Sequence, residues 1–200
     1  MTEIYTIGHS NHEIDTFLSL LRLQQITAIA DVRSHPVSRR FPQFDKKALQ
    51  ARLMAAGIRY VFLGDGFGAR PRDPACYTNG RTDFDKVRLA PSFAEALMRL
   101  RSGTQAFRVC LMCAERDPAD CHRTWLVAQT LHEAGVTVTH LLADGAMEAH
   151  AALLRRVAGT DGCSGSLFGD EAEVLRATAR REAARVAYCP EHPQSEEEGE

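Results

Sequence analysis

The residues best suited to chemistry lie together in the middle of the chain: Leu111-Met112-Cys113-Ala114-Glu115-Arg116-Asp117-Pro118-Ala119-Asp120-Cys121-His122-Arg123. Three of the six cysteines fall between positions 110 and 121. An apolar run delivers Cys113, a polar loop follows, and Cys121-His122-Arg123 opens the next helical pattern. Unpaired N–H groups at a helix start favour anions. With Arg116, Arg123 or a charged His122 nearby, the same potential favours thiolate over thiol. A thiolate is both a nucleophile and a metal ligand. The structural alternative makes Cys113 a small buried hydrophobe, His122 a cap, and Arg123 the partner of Asp31 or Glu115.

Three chemistries are open at this loop. Cys113 could be a nucleophile, with His9 or His122 as acid/base and Ser10, Asp31, Arg33, Glu115 and Arg123 contacting an anionic substrate. Cys113, Cys121 and His122, with His9, could bind zinc or iron, although no cofactor is required by the pattern. Cys110-x-x-Cys113 could be a redox pair, but both residues lie in a predicted strand and point to opposite faces.

Other motifs are candidates of the same kind. Gly8-His9-Ser10 follows a short apolar run, where His9 offers an acid/base and Ser10 an anion contact or a helix cap. Asp31 and Arg33 alternate around Val32 and so share a side, as an anion anchor or a buried salt bridge. Arg33, Arg39, Arg40, Arg70 and Arg72 are the basic residues a nucleic acid would meet. Gly64 to Arg72 is glycine-rich but lacks the Lys-Ser/Thr ending of a nucleotide-triphosphate loop. His132, His140 and His150 read as structural or exposed.

The 200 residues suffice for one domain, 44% hydrophobic and 25% charged. Neither a leader pattern nor a membrane-length apolar run is evident, which predicts a cytoplasmic protein with reduced thiols. Residues 161–200 hold 10 of the 26 acidic and 4 of the 24 basic residues, leaving residues 1–160 at a net +4. That balance suits a small anionic ligand such as a nucleotide or a phosphorylated or sulfur-bearing metabolite. It is low for a nucleic-acid binder, which stays open as an alternative. Nothing fixes an oligomeric state.

Strand patterns at Ile4–Ile7, Ile26–Val32, Ile58–Leu63, Phe107–Cys113 and Val136–Leu142 alternate with helical ones. The helices are expected at about Ile14–Leu23, Lys46–Ala56, Pro91–Arg101, Arg123–Ala134, Ala146–Val157 and Glu171–Ala187. Ser10 or Asn11 is expected to cap the first helix and Asp45 the second. Gly64 to Gly80 reads as a long loop. The alternation predicts a three-layer α/β fold, rhodanese-like or Rossmann-like, with a mostly parallel sheet and helices on both faces. It is expected to span residues 1–160, followed by a C-terminal helical appendage (161–188) and an acidic disordered tail (189–200). Ligands of such sheets bind beyond the carboxyl ends of the strands, where Gly8-His9-Ser10, Asp31-Val32-Arg33 and the Cys113 loop all lie.

Taken together, Thr6-Ile7-Gly8-His9-Ser10, Asp31-Val32-Arg33, Leu63-Gly64 and Cys113-Ala114-Glu115 through Cys121-His122-Arg123 resemble the family of domain of unknown function 488, over about residues 3–150. That resemblance implies no activity. A more distant likeness to rhodanese-like domains implies that Cys113, at a strand end, is a sulfur- or phosphate-handling nucleophile. The loop departs from that pattern by carrying Glu115, Asp117 and a second cysteine.

Overall fold

The computed structural model of the chain describes residues 3–159 and 171–190. The expected boundary after Gly159 and most of the acidic tail lie outside the described residues. In chain order the elements are β1 (Glu3–Gly8), α1 (Ile14–Leu23), β2 (Ala28–Asp31), α2 (Lys46–Ala55), β3 (Arg59–Phe62) and the single turn α3 (Gly64–Phe67). Next come the hairpin β4 (Tyr77–Thr78) and β5 (Arg81–Thr82), then α4 (Phe84–Leu89), α5 (Pro91–Thr104) and β6 (Val109–Cys113). A π-helical segment, Arg123–Ala128, runs directly into α6 (Gln129–Glu133). The described chain closes with β7 (Thr137–Leu141), β8 (Met147–Ala149), α7 (His150–Ala158) and α8 (Glu171–Val186).

Six strands form one sheet in the order β3-β2-β6-β1-β7-β8. All neighbours are parallel except β8, which runs antiparallel to β7. The late strand β6 inserts between β1 and β2, pairing Gly8 with Cys113 and Asp31 with Met112. This one long-range pairing sets the three polar motifs side by side at the carboxyl edge of the sheet.

Residues of β6 alternate between two apolar cores, as a strand buried on both faces must. Cys110 and Met112 join Phe17, Leu21, Leu49 and Leu53 under α1 and α2. Val109, Leu111 and Cys113 join Phe93, Leu100, Trp125 and Leu126 on the opposite face. The fold is thus three-layered. The apolar spacing of α1 explains its bounds: Phe17, Leu18, Leu20 and Leu21 form one buried stripe.

Several local expectations give way to competing bonds. The N-cap of α1 is Glu13, not Ser10 or Asn11, because Ser10 takes a left-handed turn conformation at φ 48° and its hydroxyl reaches Asn11. Asp45 does precede α2, but its carboxylate accepts the Ser38 N–H at 2.5 Å instead of capping the helix. The long loop after Gly64 is folded into α3, a 3₁₀ turn at Pro74–Cys76 and a hairpin. Met147–Ala149 pairs with β7 as a strand, so the following helix starts at His150.

The C-terminal helix α8 packs back onto α7 and the π-helical segment. Arg81 donates to the Ala184 carbonyl at 2.7 Å, the Thr82 N–H to Tyr188 at 2.9 Å, and the Arg70 guanidinium stacks on the Tyr188 ring. Among the described residues, no helix is long and apolar enough to cross a membrane.

The tightest backbone approach lies where β1 meets the loop after β6. A Cβ on Gly8 would sit 1.8 Å from the Glu115 carbonyl oxygen, a backbone atom that cannot swing aside. Gly8→Ala is therefore expected to cost roughly 3 kcal/mol or more. Gly103→Ala, in α5 with open space around it, should be neutral or stabilising by up to ~1 kcal/mol. Urea unfolding of both variants tests the contrast, and equal stabilities would contradict the packing described here.

Candidate metal centre

The chain leaves β6 at Cys113 and threads over Gly8. Backbone bonds from His9 N–H to Cys113 O and from Ser10 N–H to Ala114 O, both 2.8 Å, hold it there. The loop then turns through Pro118–Asp120 and re-enters the sheet's edge as Cys121, His122 and the buried π-helical segment. Asp117 caps the turn by accepting the Ala119 N–H at 2.8 Å. The Ala119 carbonyl is held from two sides, by Trp125 Nε1 at 2.6 Å and by Arg185 Nη2 of α8 at 2.9 Å. Arg185 also pairs with Asp120 at 2.9 Å and is itself braced by Glu182. Both ends of the loop are thereby fixed, and four donor groups converge beneath it.

These are Cys113 Sγ, a Glu115 carboxylate oxygen, Cys121 Sγ and a His122 ring nitrogen, all within 4.8 Å of one another. His122 Nε2 lies 3.1 Å from the Val32 carbonyl, which can only accept, so Nε2 carries the proton. Nδ1 therefore faces the sulfurs, 3.6 Å from Cys113 Sγ. Burial disfavours a second proton on the ring, but Cys121 and Glu115 outweigh it and raise the His122 pKa, so a metal ion would take this position in place of a proton. Two ligands on zinc, at about 2.3 Å for sulfur and about 2.0–2.1 Å for nitrogen, are ~3.6 Å apart at the tetrahedral angle. Cys121 Sγ and Glu115 Oε2 are closer, at 2.7 Å, and share a hydrogen bond.

The electrostatics of the cluster are those of groups competing for too few protons. Burial pushes the Cys113 thiol well above its ordinary value, with Cys121 and Glu115 adding to the rise. Burial acts on Cys121 in the same direction, but the hydrogen bond from Cys113, the Arg123 charge and His122 outweigh it and favour its thiolate. Burial and the neighbouring Cys121 raise the Glu115 carboxyl. Arg123 is fully buried, and its guanidinium donates to the Glu115 carbonyl at 2.7 Å and the Arg116 carbonyl at 3.5 Å, with Cys121 beside it. Its Nε is a buried donor with no hydrogen-bond partner. Among the described residues it forms no ion pair with a carboxylate, so its countercharge comes from the sulfurs and Glu115.

A second cluster occupies the other face of the same edge. Asp31 grips Arg33 through two parallel bonds, Nε to Oδ1 at 2.9 Å and Nη2 to Oδ2 at 2.7 Å, and also accepts Tyr60 Oη at 2.8 Å. Arg33 Nη1 lies 3.2 Å from His9 Nε2, while His9 Nδ1 lies 2.9 Å from the Ser10 carbonyl. A guanidinium only donates, so Nε2 must accept and Nδ1 carries the proton. The His9 ring stacks on Phe44 at 4.3 Å. Burial, reinforced by the Arg33 charge, lowers its pKa to about 4.

Of the residues singled out from sequence, the structure thus joins Cys113, Glu115, Cys121, His122 and Arg123 in one cluster. It joins His9, Asp31 and Arg33 in another. Asp31 orients Arg33, not Arg123, and Arg123 binds the backbone of Glu115, not its carboxylate. The Ser10 hydroxyl turns towards Asn11 and the surface. Cys110 lies on the face away from Cys113.

Sequence reasoning passed over Tyr60 and Phe44, which carry no local signal for a role beside His9. It also passed over a buried chain of hydrogen bonds behind Arg123. Gln129 Nε2 donates to Glu133 at 2.8 Å, so Gln129 Oε1 accepts from His150 Nε2 at 2.9 Å. His140 Nε2 then donates to His150 Nδ1 at 3.0 Å, and Thr6 Oγ1 donates to His140 Nδ1 at 2.7 Å. Both histidines are therefore neutral. Burial lowers each, His140 further through His150, and His150 to about 3 with His132 contributing.

Fold and site together define a three-layer α/β domain with a buried cluster of two thiols, a carboxylate and an imidazole at the carboxyl ends of its central strands. The chain belongs to the family described as "Domain of unknown function DUF488", whose model matches residues 13–130, more than half its length. No curated protein and no solved structure matches it.

The His9 geometry has a measurable consequence. A histidine whose folded pKa is depressed binds fewer protons than in the unfolded chain below about pH 6.5. Its contribution to stability is present above that pH and is lost as pH falls towards 4, amounting to about 3 kcal/mol for His9. NMR of the His9 ring is expected to show the Nδ1–H tautomer from pH 8 to pH 5 and a midpoint near 4. Titration near 6.5 would contradict this bonding.

Proposed function

We propose that this protein binds one divalent transition metal, zinc or ferrous iron, through Cys113 Sγ, Cys121 Sγ, His122 Nδ1 and the Glu115 carboxylate. The observation that carries the reading is the orientation of His122. Its Nε2–H is tied to the Val32 carbonyl, which aims Nδ1 at Cys113 Sγ at the spacing of two tetrahedral ligands. A backbone carbonyl on the far nitrogen is a common way to fix a metal-binding imidazole. The charges also balance. Two thiolates and a carboxylate around a dication leave one negative charge, and the buried Arg123 guanidinium cancels it.

The cysteine-nucleophile reading accounts for less. Cys113 and Cys121 are 2% and 0% exposed, and Arg123 is fully buried, so a metabolite-sized substrate would have no approach to them, unlike an ion or small oxidant able to pass the 114–120 loop. The nucleic-acid reading is weakened because Arg33 is buried in its pair with Asp31 and Arg72 reaches Asp65. In the metal reading, Glu115 is the one ligand on a half-buried residue, and it hydrogen-bonds to Cys121 instead of being fixed by the backbone. It is the ligand best placed to yield its position to a small anionic substrate, which the metal would polarise as a Lewis acid.

Full-length protein, reduced and loaded with zinc, is expected to retain about one metal per chain after dialysis. Cobalt in its place should give thiolate-to-metal charge-transfer and tetrahedral ligand-field bands. Cys113→Ser and Cys121→Ser should each weaken binding roughly 100-fold or more. Cys110→Ser, on the other face, should leave it unchanged. Substoichiometric metal in the reduced wild type, or cobalt bands that persist in the Cys113 and Cys121 variants, would overturn the assignment.

A further inference from the structure

The metal-binding reading uses both thiols, but their closeness has a second consequence. We propose that Cys113 and Cys121 are a redox pair that a small hydroperoxide converts to a disulfide, expelling the metal. The release half of this proposal rests on the metal reading, whereas the disulfide does not.

Three features point to this pair. First, the two sulfurs lie within 4.8 Å of each other on a loop of seven intervening residues. Cys113 ends a strand and Cys121 precedes the helical segment, so rotation of the two side chains can bring the sulfurs to bonding distance without moving the sheet. Second, no other described cysteine competes. Cys110 is on the opposite face of the sheet, Cys76 belongs to the 3₁₀ turn beside the β4–β5 hairpin, and Cys189 follows Tyr188, whose carbonyl is tied to Thr82 of that hairpin. Third, the cover is thin. Glu115 is half-buried and Arg116 and Asp117 are exposed, so one loop separates the thiols from water.

The chemistry balances as follows. The Cys121 sulfur, which accepts the Arg123 N–H at 3.4 Å, attacks the distal peroxide oxygen. The O–O bond breaks, the alcohol leaves with a proton, and Cys121 becomes a sulfenic acid. The Cys113 thiol attacks that sulfur, the S–S bond forms, and the hydroxide leaves as water with the proton that Cys113 gives up. Two thiols and one hydroperoxide give one disulfide, one alcohol and one water.

Oxidation also alters the surroundings of Arg123. It removes two anionic ligands from beside a fully buried guanidinium that, among the described residues, has no carboxylate ion pair of its own. A disulfide coordinates metal far more weakly than two thiolates, so His122 and Glu115 alone would have to hold the ion. Expulsion of the metal and loosening of the 114–120 loop follow from the same loss of charge.

The test uses the full chain in two forms, reduced metal-free and zinc-loaded, each treated with hydrogen peroxide and digested with trypsin without reduction. The expected result is a linked pair of peptides, 109–116 with 117–123, whose fragmentation places the bond at Cys113 and Cys121. From the loaded form, one zinc per chain should pass to a chromogenic chelator as the link appears, and dithiothreitol should restore binding. Failure to link in the metal-free form, with either thiol proceeding to sulfinic acid instead, overturns the redox pair and leaves the metal reading standing. Linking in a chain that takes up no zinc when loading is attempted overturns the metal reading and leaves the pair standing. Linking with zinc retained overturns the release.

Discussion

Arg123 is permanently charged and wholly out of water, and the site is organised around that fact. A guanidinium does not escape burial by losing its proton, so its surroundings must supply acceptors and negative charge. Two backbone carbonyls of the loop supply the first. The thiols and the carboxyl of the same loop supply the second; the hydrogen bond from Cys113 and then the Arg123 charge make Cys121 lean towards thiolate although it is buried. Gly8 takes part because the Arg123 side chain and the Glu115 carbonyl together fill the space a Cβ would need. Removing the charge would leave the loop without its central anchor and the sulfurs without the cation that favours their ionised form.

The two clusters divide the carboxyl edge of the sheet between its faces. Odd positions of β1 and β2 send His9, Asp31 and Arg33 towards α1 and α2. The end of β6 sends Cys113 towards the π-helical segment. The first cluster is closed: each ring nitrogen of His9 and both carboxylate oxygens of Asp31 are engaged. The second has a His122 nitrogen turned towards the sulfurs, a buried unpartnered Nε on Arg123, and two thiols beside its one carboxyl. The first cluster behaves as scaffold. It fixes the turn after β1 that carries the backbone bonds to Cys113 and Ala114, and it ties down the segment after β2 that presents the Val32 carbonyl to His122.

Much of this was legible from periodicity. The stripe in α1 gave its bounds, and the two-residue alternation placed Asp31 with Arg33 and set Cys110 against Cys113. The clustering of Cys113, Glu115, Cys121, His122 and Arg123 follows from a strand end, a short loop and a helix start. What periodicity cannot carry is which strands are neighbours. The insertion of β6 between β1 and β2 joins residues about a hundred positions apart, and only that pairing brings Val32 to His122. Helix caps were misjudged because polar groups had better partners: Asp45 met Ser38, and Ser10 turned into a left-handed bend. The His140–His150 chain was invisible because β7 alternates Thr137, Val138, Thr139 and His140 with no hint that His150 returns beside it. A π-helical start to the helix after Cys121 has no compositional mark at all.

The brace that α8 places on the site loop has a consequence for the order in which the protein is made. Every ligand of the proposed centre has been synthesised by residue 122, and the sheet that carries them is complete by residue 149. Arg185, which pins Ala119 and Asp120, lies in α8 and emerges only after that sheet. A chain that folds from its amino terminus as it emerges therefore holds an assembled but unlatched loop until α8 has been added. That interval is when an ion can enter without first prising open a finished structure, which makes loading a matter of timing as well as affinity.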